Sequence, residues 1–136
     1  MRALQGRVFD WVRATFGSRR AWSKRERVLR VFEETCELAQ SVGLERDVVL
    51  HQLHSVYDRD VGDPEMELAQ VGVALLAAAS SVAIDLEYVV IQEMDRVESI
   101  DQDEWDRRIG RKEREGLTIS SEGERRLVRK NQEEVR

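Results

Sequence analysis

Apolar residues recur along this chain at the three-to-four-residue spacing of α-helices. Leu4, Val8, Trp11, Val12 and Phe16 predict a first helix near residues 2–16, with Gly17 as its stop. Ser18 to Arg25 reads as a basic connection that contains Trp22. Ser23 is placed to cap a second helix, with Glu26 three residues on completing a capping box. In that helix Val28, Val31, Thr35, Leu38 and Val42 gather on one side, a stripe expected to face the core, and Gly43 suits the C′ position. A third helix is expected from about Leu44 to Tyr57, with Val48, Leu53, Val56 and Tyr57 as its buried positions. Asp58 to Pro64 breaks the pattern: Gly62 gives turn freedom, Asp63 is an N-cap and Pro64 fits the first helical position. The fourth helix, near 64–83, opens with Glu65 and Glu67 and then becomes almost wholly apolar or small. Such a helix is expected to be buried among others, in a bundle or a subunit interface. Asp85 caps a fifth, which begins at Leu86 and offers Tyr88, Val89, Ile91, Met94, Val97 and Ile100 as apolar contacts. From Asp101 onward charges of both signs alternate around Trp105, and partial helix followed by a mobile or partner-packed tail is expected. The pattern as a whole predicts an all-α fold: a compact bundle of four to five helices over residues 1–100, oligomeric through its apolar fourth helix, and a charged extension over 101–136.

Composition narrows the classes. The net charge of −5 argues against general nucleic-acid binding, although a local basic patch stays open. One proline and eight glycines suit long helices with few breaks. The single Cys36 rules out an internal disulfide framework, which fits a reducing, cytoplasmic setting. The N-terminus lacks the apolar run of a signal peptide. Leu68 to Ile84 is strongly apolar, yet Gln70, Gly72, Ser80 and Ser81 interrupt it and it is short for a membrane span.

The chemistry concentrates on the second helix. With Glu37 as the zero direction, Glu33 lies at about −40°, Glu34 at about +60° and Arg30 at about +20°. Three carboxylates on one face repel, at a few tenths of a kcal/mol per exposed i,i+4 pair. A hard divalent cation such as Mg²⁺ or Mn²⁺ reverses that sign. Two readings stand side by side: a metal-binding face, or the solvated side of an amphipathic helix. Glu67 poses the same choice, between a ligand at the edge of a buried helix and an acid favoured by the helix N-terminus. His51 and His54 share a face but have no matching histidine or cysteine pair, so they read as surface or packing residues. The chain has no Walker-type glycine loop, no Gly-x-Ser-x-Gly and no Cys-x-x-Cys.

Glu33-Glu34-Thr35-Cys36-Glu37, followed after Gly62-Asp63-Pro64 by a helix carrying Glu67, resembles the MazG-like all-α nucleoside triphosphate pyrophosphohydrolases, whose pattern is E-x-x-E after a leading Glu and then E-x-x-D on a later helix. Phe9-Asp10-Trp11, Phe16-Gly17, Val56-Tyr57-Asp58-Arg59 and Ala83-Ile84-Asp85 extend the resemblance, over roughly residues 8–100, to the small phage and bacterial MazZ-like branch. The resemblance implies Mg²⁺- or Mn²⁺-dependent hydrolysis of a purine deoxynucleotide such as dGTP or dATP to the monophosphate and pyrophosphate, by a homodimer or homotetramer. It implies Glu34, Glu37 and Glu67 as metal ligands and Glu33 as a second-ion ligand or water-orienting group. Arg30, Arg27, Lys24 and Arg59 become candidates for phosphate, and Trp11, Phe16, Trp22 or Tyr57 for the wall of a base pocket. Gln70 stands where the family has Asp. Either its amide oxygen or a water serves the metal, or Asp63 substitutes, or the second metal site is altered, or activity is lost. A non-catalytic helical assembly protein and a nucleotide sensor are the rival expectations.

Overall fold

A computed structural model describes residues 1–119, and these form seven α-helices and no strand: α1 (Arg2–Phe16), α2 (Ser18–Trp22), α3 (Lys24–Ser41), α4 (Arg46–Tyr57), α5 (Pro64–Ser81), α6 (Leu86–Glu98) and α7 (Gln102–Arg114). The all-α expectation therefore holds. The tail expected to be mobile or partner-packed lies, from residue 120, outside the described residues.

Several helix ends follow the chemistry of their caps. The Asp63 carboxylate accepts from the N–H groups of Glu65 and Met66, both at 3.1 Å, and Pro64 begins α5 where its missing N–H costs nothing. The Asp85 side chain accepts from the Tyr88 N–H at 3.0 Å. Gly43, at φ 78°, closes α3 in a Schellman motif, with Leu44 N–H donating to the Ala39 carbonyl and Gly43 N–H to that of Gln40. Ala83 closes α5 in the same way at φ 57°, a region that costs a residue with a Cβ about 1–2 kcal/mol.

The chain divides into two compact units, Met1–Glu34 with the chain from Glu98 onward, and Thr35–Val97. In the first, Trp11, Phe16 and Trp105 meet edge to face with centroids 5.4–5.5 Å apart, and Phe9 meets Trp22 at 4.7 Å. Edge-to-face pairs align the positive rim of one ring with the negative face of the next. Arg108 lies over the Trp105 ring, and Gln102 donates to the Thr15 carbonyl at 2.9 Å. Val12 and Ala21 are buried beside this cluster's helices, and Arg7 grips Glu98 through two hydrogen bonds of 3.1 and 2.6 Å. Helix α7 is thus tied to α1 by aromatic packing and to the rest of the unit by charge.

Several expectations about sides and segments are revised for the single chain. Residues 18–22 form a short helix, α2, where a connection was expected; Ala21 points inward and is 3% exposed. The apolar stripe of α3 does not face a core in the single chain: Val28, Val31, Leu38 and Val42 are all exposed. It is the opposite, polar face that is covered, with Glu26 buried and Arg30 and Glu33 half-buried. Helix α5, expected to lie buried in a bundle or a subunit interface, has no buried residue within the described part of the single chain, where only Ala78 and Ala79 are half-buried. Val48, Val56 and Tyr57 on α4 and Tyr88, Val89 and Ile91 on α6 are likewise exposed, while Leu53 and Ile100 are half-buried and Met94 and Val97 are buried as expected. The physical reason is common to all of these. Helical periodicity reports which side of a helix avoids water, and the described residues of one chain do not supply the surface that would cover these sides.

Candidate functional site

Glu26 is the only charged residue buried among those described, at 4% exposure. The capping box expected at the start of α3 is half formed: the Ser23 hydroxyl accepts from the Glu26 N–H at 3.3 Å. The Glu26 carboxylate does not return the bond. Its Oε2 accepts from the Ile119 N–H at 2.9 Å, and its Oε1 lies 3.8 Å from Arg20 Nη1, 3.8 Å from Arg30 Nε and 4.0 Å from Arg27 Nη2. One carboxylate therefore balances three guanidinium groups. Burial pushes the Arg27 guanidinium below its ordinary pKa; Glu26 opposes the shift, and Arg30 and Arg20 add to it. The Nε atoms of Arg27 and Arg30 are buried without a hydrogen-bond partner.

Glu33 belongs to the same network. Lys112 of α7 donates to both of its oxygens, at 2.9 and 2.7 Å, and Arg30 Nη1 donates to Oε2. Arg30 Nη2 donates to the Leu117 carbonyl, and Arg20 pairs with Glu113. Two candidates from the sequence, Glu33 and Arg30, are thus engaged within this unit. Both oxygens of Glu33 already face cations within this network. The contacts fasten α7 and the segment after it onto the polar face of α3.

The remaining acids lie differently. Glu34 and Glu37 are exposed and one turn apart on α3. Glu67 sits in the first turn of α5, behind the Asp63 cap, with its carboxylate folded against Gly62 so closely that a Cβ there would overlap it. Asp63, a possible substitute ligand, has one oxygen engaged by the α5 cap. Gln70 is exposed on α5. Among the described residues, no three His, Cys, Asp or Glu side chains are brought together as a metal ion would need.

The other candidates separate into engaged and exposed groups. Trp11 and Phe16 are packed against Trp105 and serve the first unit's interior. Trp22 is 70% exposed and Tyr57 82%. Lys24 is exposed, and Arg59 donates to the Ser55 hydroxyl one turn back, at 3.1 Å. His51 and His54 are exposed on α4, as surface histidines. Sequence reasoning missed Lys112, Glu113 and Glu26 as network members. The capping-box spacing drew attention to Glu26 but assigned its carboxylate a local partner, whereas its partner is 93 residues away.

Among the described residues no single helix is long and apolar enough to cross a membrane, and α5 and α6 together reach that apolarity only with a 99° bend between them. Compared with protein-family models, with curated proteins and with solved structures, the chain finds no match in any of the three.

Proposed function

We propose that this chain is a divalent-cation-dependent nucleoside triphosphate pyrophosphohydrolase of the MazG-like class. More particularly, we propose that it acts on purine deoxynucleotides such as dGTP or dATP in the cytoplasm, as a homo-oligomer. The observation that carries the reading is the placement of Glu34 and Glu37 one turn apart on an exposed face of α3, with Glu67 in the first turn of the Asp63-capped α5. The donor chemistry fits Mg²⁺ or Mn²⁺, which take hard carboxylate oxygens. Glu34 and Glu37 would hold the ion, with Glu67 as a further ligand and the Gln70 amide oxygen as a weaker, neutral one. Such an ion neutralises phosphate oxygens and lowers the pKa of bound water.

The roles of Glu33 and Arg30 shift in this reading. Their contacts with Lys112 and Leu117 support a part for them in fastening α7 and the segment after it. Lys24 and Arg27 remain phosphate candidates on α3, and Arg59, after α4, is another. Tyr57, and Trp22, which stays 70% exposed although it meets Phe9, suit a base better than Trp11 and Phe16, which pack on Trp105.

A second reading, a helical assembly protein without catalysis, is favoured by the uncovered apolar faces of α3 and α5. A nucleotide sensor that has lost hydrolysis is favoured by Gln70. One assay separates the three: pyrophosphate release from a panel of ribo- and deoxynucleoside triphosphates with Mg²⁺ or Mn²⁺, with products identified. The proposal expects a monophosphate and pyrophosphate, with purine deoxynucleotides best. Tight nucleotide binding without product would establish the sensor, and neither binding nor turnover would leave the assembly protein.

A further inference from the structure

We infer that the basic stretch from Arg19 to Arg30 is a binding surface for single-stranded nucleic acid, with Trp22 as the platform on which a base stacks. The surface shares Trp22, Lys24 and Arg27 with the nucleotide reading above, but it needs neither metal nor turnover. Charge is unevenly divided along this chain. The unit Thr35–Val97 carries three Arg and no Lys against twelve Asp and Glu, whereas residues 18–30 carry six Arg and Lys against one Glu. The net charge of −5 conceals that patch. The one acid within it, Glu26, is buried at 4% exposure, so the charge the stretch shows to solvent is positive.

Elsewhere on the chain, cations are answered locally. Arg13, Arg96, Arg107 and Arg108 each pair with an acid three or four residues away. Arg19, Lys24 and Arg25 are exposed and pair with no acid among the described residues. Glu26, Glu33 and Glu113 meet Arg20, Arg27, Arg30 and Lys112, which leaves a further cation in excess. Lys24, Arg27 and Arg30 also follow one another at three-residue spacing on α3, so like charges stand about a turn apart and repel. A run of phosphates laid along them turns that repulsion into attraction and releases the strand's condensed counterions.

Trp22 decides the kind of polyanion. Its ring meets Phe9 at 4.7 Å and 64°, which pins it, yet 70% of the residue stays exposed. An exposed aromatic next to a cationic track stacks unpaired bases, and the paired bases of a duplex are not open to it. The guanidinium groups of Arg20, Arg27 and Arg30 are gathered within 4.0 Å of the Glu26 carboxylate. A pinned ring beside tethered guanidiniums suits a strand's regular alternation of base and phosphate. A fluid layer of lipid headgroups calls instead for long cationic side chains that extend freely.

Fluorescence anisotropy of a labelled oligodeoxythymidylate of about 20 nucleotides, with the full chain and with EDTA present, tests the proposal. Saturable binding is expected, weakening about 10²-fold between about 50 and 200 mM salt, as for a contact with about five phosphates. The double variant Arg19→Glu, Arg25→Glu is expected to weaken binding about tenfold or more and to flatten the salt dependence. Trp22→Ala is expected to weaken it about tenfold with the salt dependence kept, because stacking releases no counterion. Arg46→Glu, at an exposed position in the acidic unit, is expected to change nothing. A strand that stays unbound at about 50 mM salt, wild-type affinity in either patch variant, an equal loss in Arg46→Glu, or equal affinity for a duplex of the same length would overturn the proposal. Uptake onto phosphatidylserine vesicles at protein concentrations that leave the oligonucleotide free would overturn it too, and would identify a membrane as the partner. The charge-reversed variant decides the matter even if Trp22→Ala, which loses the Phe9 contact, fails to fold.

Discussion

Replacing Glu34 or Glu37 by Gln is expected to abolish pyrophosphate release while leaving the fold intact. Each substitution keeps the size of the side chain and removes the charge that a hard cation requires. Several kcal/mol of transition-state stabilisation depend on a catalytic metal, which corresponds to a loss of about 10²–10³-fold in kcat. Both residues are exposed on α3, so helical content is expected to match the wild type. Steady-state kinetics with the best nucleotide, beside circular dichroism, check the two halves separately. Glu33→Gln offers the contrast. Its oxygens hold Lys112 and Arg30, so its first effect is to loosen α7 and lower stability. Turnover that survives Glu34→Gln and Glu37→Gln would remove these acids from the mechanism.

Glu26→Ala is expected to be the most destabilising single change in the unit built from the two ends of the chain. Removing one partner of a buried ion pair leaves its opposite charges uncompensated, at a cost of about 3–5 kcal/mol. Here three guanidinium groups, those of Arg20, Arg27 and Arg30, lose their shared carboxylate, and the Ile119 N–H loses its acceptor. Glu26→Gln keeps an acceptor for Ile119 and loses only the charge, so its cost falls between that of the alanine variant and the wild type. Urea unfolding at fixed protein concentration measures both. A loss below about 1 kcal/mol for Glu26→Ala would mean that the arginines find other partners or water, and that the network does not hold the unit together.

What the sequence made legible was local. Ser23, Gly43, Asp63, Pro64 and Asp85 act over three or four residues, and each does in the structure what its chemistry dictates. The apolar spacing located the long helices for the same reason. The sides of those helices were not legible, because burial is a property of whatever lies opposite. On α3 the stripe of Val28, Val31, Leu38 and Val42 is apolar yet exposed in the single chain, while the Glu26–Arg30–Glu33 side is covered. The partners that cover it, Lys112, Leu117 and Ile119, are 79 to 93 residues away. Within the candidate site, sequence spacing placed Glu34 and Glu37 on one helix and Glu67 at the head of another. It did not reveal that Glu33 and Arg30 are already engaged by α7, since nothing about the mixed charges after Asp101 marks Lys112 apart from its neighbours.

Metal-dependent hydrolysis requires Glu34 and Glu37 to be ligands rather than solvated charges, and direct binding of Mn²⁺ tests that most closely. Titration of the ion into the full-length chain, followed by its paramagnetic resonance signal, is predicted to give saturable binding that Glu34→Gln and Glu37→Gln each eliminate. Manganese that stays free in the presence of the wild-type chain, or that binds both variants as well as the wild type, would contradict it.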